Sequence, residues 1–165
     1  MRVVRFPALL AGLALLVSFV WVPAGRTQPP ENPAAAEASY VGSEACASCH
    51  DTQFHTYSKY SKKAHSSKSI QIMASDLTEE ELRGCYGCHT TGYGRPGGFV
   101  SFTATPGLAN AGCEVCHGPG SAHAESGGDA SLIKGKLTMA DCETCHSAER
   151  VAAFNFKPML YAGAH

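Results

Sequence analysis

Apolar positions are crowded at one end of this chain and scattered over the rest. An almost uncharged apolar run from Phe6 to Val22 follows Arg2 and Arg5, and Val22-Pro23-Ala24 then offers a small residue to a signal peptidase. A charged start, an apolar middle and a small-residue end predict a secretory signal over 1–24. The run is 17 residues long, the short edge of what crosses a bilayer as a helix, so an uncleaved anchor is the alternative. The first cysteine, Cys46, lies too far on to be a lipid-attachment site. Residues 25–39 are rich in Pro, Ala and Glu, with Pro29-Pro30 and Pro33, which predicts a stiff, solvated linker. The functional domain is expected over 40–165, outside the cytoplasm.

Within that domain the pattern predicts short helices and many turns. Ser43 is placed as an N-cap, and Glu44 to Ser66 as helical, with Phe54, Tyr57 and Ala64 at spacings that share a face. Thr78-x-x-Glu81 is a capping box opening a short helix. Gly92, Gly94, Pro96, Gly97 and Gly98 predict a tight turn, followed by a short extended piece from Phe99 to Thr103. Gly118-Pro119-Gly120 ends a helix abruptly, and Gly127-Gly128 marks a surface loop. Thr138-x-x-Asp141 predicts one more N-cap, for a helix through about Phe154. The class is mostly α, with little sheet.

Composition changes the picture, because such a domain lacks the material for an ordinary core. Residues 40–165 hold only 18 Leu, Ile, Val and Phe in 126 positions, below the roughly 20% at which disorder is suspected. The charge is small, at -1, and the segment is not low-complexity, so disorder fits poorly. Disulfides, metals or a large apolar cofactor must supply the missing core. The near-zero balance also leaves no basic face for nucleic acid.

The cysteines decide among these. All eight fall into pairs spaced by two residues: Cys46/Cys49, Cys85/Cys88, Cys113/Cys116 and Cys142/Cys145. Each pair is followed at once by a histidine: His50, His89, His117 and His146. C-x-x-C-H is the attachment signal of c-type haem. Two thiols add to the two vinyl groups of one porphyrin, and the next residue of the same helical turn sets its imidazole beneath the iron. Disulfides would explain paired cysteines in an exported chain but not the following histidines. Zinc uses C-x-x-C pairs too, without an adjacent His each time. With His at 8 of 165 positions, four such neighbours arise by chance at roughly a few in a million. A thioredoxin-like pair would occur once, in a strand–helix pattern that is absent. Four covalent haems are therefore the expected cofactors, their faces replacing the missing aliphatic surface.

Four histidines lie outside the motifs: His55, His65, His123 and His165. The count permits a distal histidine for every iron. Met73, Met139 and Met159 are rival axial ligands, read here as packing around a porphyrin. His65 is 15 residues beyond His50, too far along a helix to return to the same iron. His55 lies five residues beyond His50 and so turns about 140° away on a helix. It can serve a neighbouring haem or face solvent. Lys59, Lys62, Lys63 and Lys68 are the one cationic cluster, a solvated face or a patch for an acidic redox partner or for propionates.

Tyr40-Val41-Gly42-Ser43, Cys46-Ala-Ser-Cys-His50 and Lys63-Ala-His65 together resemble the opening of the cytochrome c-554 family of tetrahaem cytochromes. Cys85-Tyr-Gly-Cys-His89 with Thr90-Thr-Gly-Tyr-Gly and Gly97-Gly-Phe99 is similar too. The most specific match is Gly112-Cys-Glu-Val-Cys-His117-Gly-Pro-Gly120, with His123 just after. The ending, Phe154 to Pro158 and Gly163-Ala-His165, is similar to exported multihaem relatives. The resemblance implies a multihaem cytochrome c fold with crossed ligation. His123 would be distal to the haem of His50, His65 to that of His117, and His165 to that of His146. It leaves the haem of His89 without a distal protein ligand and gives His55 no role. For that haem, ligation by His55, an open face, and a Met or partner ligand all remain.

The leading expectation is an exported electron carrier, periplasmic or extracellular, passing electrons among four close haems to redox partner proteins. The alternatives are a haem enzyme acting on a small nitrogen species at an open iron, and a protomer of a conductive polymer. No Ser/His/Asp set, paired acid/base carboxylates or phosphate loop argues for other catalysis. Membrane attachment through the N-terminal segment and self-association are the further partner readings.

Overall fold

The computed structural model describes residues 37–147. The expectations for the leader, for most of the linker, and for Met159 and His165 lie outside these residues, whereas the last helix, expected through about Phe154, already ends at Glu143. Seven short α-helices follow one another: α1 (Ser43–Cys46), α2 (Asp51–Tyr60), α3 (Ser67–Met73), α4 (Glu79–His89), α5 (Cys113–His117), α6 (Ser121–Glu125) and α7 (Met139–Glu143). Single turns of 3₁₀-helix lie at Lys62–His65, Ala74–Asp76, Pro106–Leu108 and Ala130–Leu132. There is no strand among the described residues. The mostly α expectation holds.

Local sequence explains α4. Thr78 Oγ1 accepts from the Glu81 amide at 3.3 Å, and the Glu81 carboxylate accepts from the Thr78 amide at 2.8 Å. Glu79, Glu80 and Glu81 fill the first turn, where negative charge is favoured. At α7 the Asp141 carboxylate accepts from both the amide and the hydroxyl of Thr138, at 2.8 and 2.9 Å.

The stretch from Glu44 to Ser66 departs from a single helix. Its first turn closes when the His50 amide donates to the Cys46 carbonyl at 2.9 Å, and His50 then leaves helical geometry, with φ -117° and ψ 47°. α2 starts afresh from it and stops at Ser61, which is buried and extended. Nor is Ser43 an N-cap: Gly42 takes that position, and the Ser43 hydroxyl accepts from the Cys113 amide at 3.0 Å. The piece from Phe99 to Thr103 pairs briefly, Phe99 donating to the Thr91 carbonyl at 2.9 Å, and then folds back. Ser101 and Thr105 side chains accept the Ala104 and Val100 amides that a ladder would have used.

The apolar core is as thin as the composition predicts. Among the described residues the buried hydrophobic side chains are Ile70, Leu82, Phe99, Leu108 and Ala111. Beside them Tyr86 sits edge-on to Tyr93, Phe99 and Phe102 with ring centres 5.2, 5.3 and 5.9 Å away. Much of what remains is hydrogen-bonded: Thr90 and Thr91 are fully buried, and Thr91 Oγ1 donates to the Asn110 carbonyl at 2.7 Å. Gly112 lets two segments touch, since a Cβ there would lie 2.4 Å from Ser43 Oγ.

Candidate haem-binding site

The four C-x-x-C-H motifs adopt one local form. In each, the chain makes a single helical turn between the first cysteine and the histidine. α4 and α5 contain the second and third motifs whole. In the first and fourth, the His50 and His146 amides donate to the Cys46 and Cys142 carbonyls at 2.9 and 2.8 Å. All eight cysteines are free thiols. At the third motif the turn is cut off by Gly118, whose φ of +81° suits only glycine.

One cysteine differs from the other seven in its exposure. Cys46, Cys85, Cys88, Cys113, Cys116, Cys142 and Cys145 are half-buried, whereas Cys49 is exposed. The cause is local. Cys49 lies in the turn past the last residue of α1, and its sulfur accepts from the neighbouring Ser48 hydroxyl at 3.9 Å. Its motif partner Cys46 points instead toward Cys113. The place of Cys49 as an anchor therefore rests on motif spacing and not on burial.

Different motifs meet through the half-buried thiols. Cys46 of the first lies beside Cys113 of the third. Their proximity raises the Cys46 thiol above its ordinary range and lowers Cys113. Cys88 of the second likewise lies beside Cys145 of the fourth. Burial first, and then Cys88, push Cys145 up to about 11. So the first motif stands beside the third, and the second beside the fourth.

The histidines show a second regularity. His89 Nδ1 donates to the Ser66 carbonyl at 3.0 Å, His117 Nδ1 to Lys134 at 2.6 Å, and His123 Nδ1 to Asp129 at 2.9 Å. A carbonyl can only accept, so each of these rings carries its proton on Nδ1 and offers Nε2 as the basic nitrogen. His65 is the reverse: its Nε2 donates to the Ser58 carbonyl at 2.8 Å, which makes Nδ1 basic. Burial and the nearby Lys63 ammonium lower His146, favouring the neutral ring.

His123, on α6, faces His50. Their ring centres are 6.2 Å apart and their planes differ by 19°. His55 is exposed on α2, edge-on to Phe54. The lysine cluster disperses: Lys59 lies over the Tyr60 ring at 5.1 Å. Lys63 turns toward Cys116, Cys142 and His146. Lys68 joins His65, Ser67, Gln71 and Asn110 around a cavity of about 670 Å³. Met73 and Met139 are half exposed.

Residues 45–118 match the family model described as cytochrome c554 and c-prime. This region is similar to the cytochrome c-554 family. Over 98 residues the chain is 34% identical to cytochrome c-554 of Nitrosomonas europaea, an alignment covering 52% of this chain and 41% of that protein. The chain thus spans less than half the length of this relative. No solved structure matches it.

Similarity to the cytochrome c-554 family implies covalently bound haem c, and the geometry of these residues fits it. An imidazole nitrogen sits about 2.0–2.1 Å from a first-row metal and roughly 1.1 Å from its own ring centre, so two rings on opposite sides of one ion have centres about 6.2–6.4 Å apart. The pair His50 and His123 meets that separation. The Nδ1 bonds of His89, His117 and His123 are the outer contacts that orient a metal-bound histidine. Two residues escaped the sequence reading. Glu114, inside the third C-x-x-C, is a buried carboxylate. Ser66 gives its hydroxyl to the His89 carbonyl at 2.7 Å and accepts the Ala111 amide at 2.8 Å. Glu114 offered one signal, an acidic residue between two cysteines of a core-poor chain. Ser66 offered none.

Proposed function

We propose that this chain is an exported tetrahaem electron carrier. The observation that carries the reading is the thiol contact between different motifs, Cys46 with Cys113 and Cys88 with Cys145. Thioether bonds formed at those sulfurs would bring two porphyrin edges together in each pair. When bound, haem iron supplies the one-electron chemistry, with the protein setting potential and spacing.

The chain's own residues divide the remaining work. The eight cysteines anchor the four groups, Cys49 from the solvent side, and His50, His89, His117 and His146 are the proximal ligands. His123 serves opposite His50, His65 opposite His117, and His165 opposite His146. Ser66, Lys134 and Asp129 hold rings in place through their carbonyls. Two histidines per iron stabilise the oxidised form and keep the potential low. The haem of His89 is the one left with an open face, because His55 lies exposed against Phe54. Exported redox proteins are the donor and acceptor.

Intact mass under denaturing conditions tests the reading. The expected mass exceeds the processed polypeptide by four haems; a chain carrying zinc and no covalent haem overturns it. His65→Ala should turn one low-spin haem high-spin, and an unchanged spin state removes His65 as a ligand. Electron paramagnetic resonance tests the open face: a high-spin signal that persists in His55→Ala and binds carbon monoxide on reduction supports it. Wholly low-spin haem that turns partly high-spin in His55→Ala makes His55 the ligand instead.

A further inference from the structure

Glu114 is 3% exposed, and none of its carboxylate's hydrogen bonds stays within its own helix. Oε1 accepts from the Gly120 amide at 2.8 Å and from Val41 at 3.0 Å. Oε2 accepts from Gly42 at 2.7 Å and from Val41 at 3.2 Å. Three main-chain donors from two segments thus converge on one carboxylate. An ionised carboxylate, which only accepts, matches such a set. Gly120 eases the approach, since a Cβ there would lie 3.2 Å from Oε1 and ask the carboxylate to give way by a few tenths of an ångström.

The two segments are the ones that carry His50 and His123. Val41 and Gly42 lead directly into α1 and the turn ending at His50, and Gly120 is the N-cap of α6, which carries His123. α6 has five residues, too few to hold its direction alone. Ser39 and Ser121 join the same segments, the Ser39 amide donating to Ser121 Oγ at 2.8 Å and the Ser121 amide to the Ser39 carbonyl at 3.2 Å. The carboxylate is the central knot of this seam.

We propose that Glu114 is a positioning residue for the first haem, holding the His50 and His123 segments together so that both imidazoles address one iron. The inference rests on the tetrahaem reading above and adds a residue that touches neither iron nor thioether. Without the carboxylate, two buried amides lose their acceptor and α6 loses its anchor, so His123 drifts from its place opposite His50.

The test uses the haem-loaded full chain with Glu114→Ala, Glu114→Gln, His123→Ala and the double variant Glu114→Ala/His123→Ala. Electron paramagnetic resonance and carbon monoxide difference spectra are recorded for each. Glu114→Ala should convert one haem from low to high spin, with carbon monoxide binding on reduction. Glu114→Gln, which keeps one acceptor oxygen, should convert a smaller fraction. The double variant should show the same added high-spin haem as His123→Ala, beside the open haem of His89. Wild-type spin states in Glu114→Gln and Glu114→Ala overturn the proposal, even with reduced thermal stability. So does a high-spin haem in the double variant beyond those of His123→Ala. Should Glu114→Ala not accumulate, Glu114→Gln decides alone. Denaturing mass on the same samples separates the two readings: four haems with unchanged spin sink only the positioning role, whereas missing haem sinks the tetrahaem reading and this one with it.

Discussion

α4 and the pair α5–α6 carry comparable chemistry and are built in opposite ways. α4 has 11 residues, a reciprocal box at its start and three acidic residues in its first turn. Its motif turn is the end of a helix specified by its own neighbours. α5 and α6 have five residues each and no side-chain cap. Their direction comes from bonds reaching 70 or more residues back, Cys113 to Ser43 and Val41 and Gly42 to Glu114. One kind of site tolerates damage elsewhere in the chain; the other inherits it.

The largest break in this contrast is expected at Gly112. Gly112→Ala sets a Cβ 2.4 Å from Ser43 Oγ and 3.1 Å from Thr91 Oγ1, so the seam must open. Overpacking of this kind costs about 1–3 kcal/mol. Chemical denaturation of the haem-loaded protein should show the loss, and a stability equal to wild type would mean the seam is loose. Ser66→Ala comes next: it strips the Ala111 amide of its acceptor and the His89 carbonyl of a donor. An unsatisfied buried group costs about 1–3 kcal/mol. The accompanying shift in the visible spectrum should be confined to one haem.

Thr78→Ala tests the self-sufficient side. Losing the cap should cost about 0.5–2 kcal/mol, leave the spin states of the other haems untouched, and raise amide exchange only at the start of α4. Spread of the effect to α5 would erase the distinction drawn here. The smallest effect belongs to Lys134 and Asp141, which form an ion pair beside α7. The Lys134 ammonium, with the Thr138 amide, lowers Asp141 from 3.8 to about 2. A carboxyl lowered on folding stabilises above its unfolded value and loses that contribution as pH falls through the folded one. The pair's share should therefore be full above about pH 4 and fade toward pH 2. For a solvent-screened pair it is under about 1 kcal/mol. Lys134→Met should flatten that pH dependence; a slope like wild type's would deny the pair any role.

The same contrast explains what could be read in advance. The Thr78–Glu81 and Thr138–Asp141 pairs were legible because a cap uses residues three apart. The four motif turns were legible because the cysteine and histidine spacing is itself the helical turn. Spacing does not carry burial, however, and so it could not tell exposed Cys49 from half-buried Cys46. Ser43 misled for a related reason: it has an N-cap's composition, yet its partner is Cys113. The piece from Phe99 to Thr103 has the composition of a strand, and Ser101 and Thr105 divert its main chain into a turn. Glu114 binds main-chain atoms of three residues whose side chains play no part, so beyond its place between two cysteines no pattern of residue types could announce its partners.

The Glu114 knot also imposes an order in time. A chain emerges from the ribosome N-terminus first, at about 5–20 residues per second. Val41 and Gly42 therefore wait for Glu114, 73 and 72 positions downstream, for several seconds at those rates. Gly120 follows a few residues later. The first motif in the sequence thus acquires its finished surroundings only after the second has emerged, and whatever attaches to it early must be tended until its opposite wall arrives.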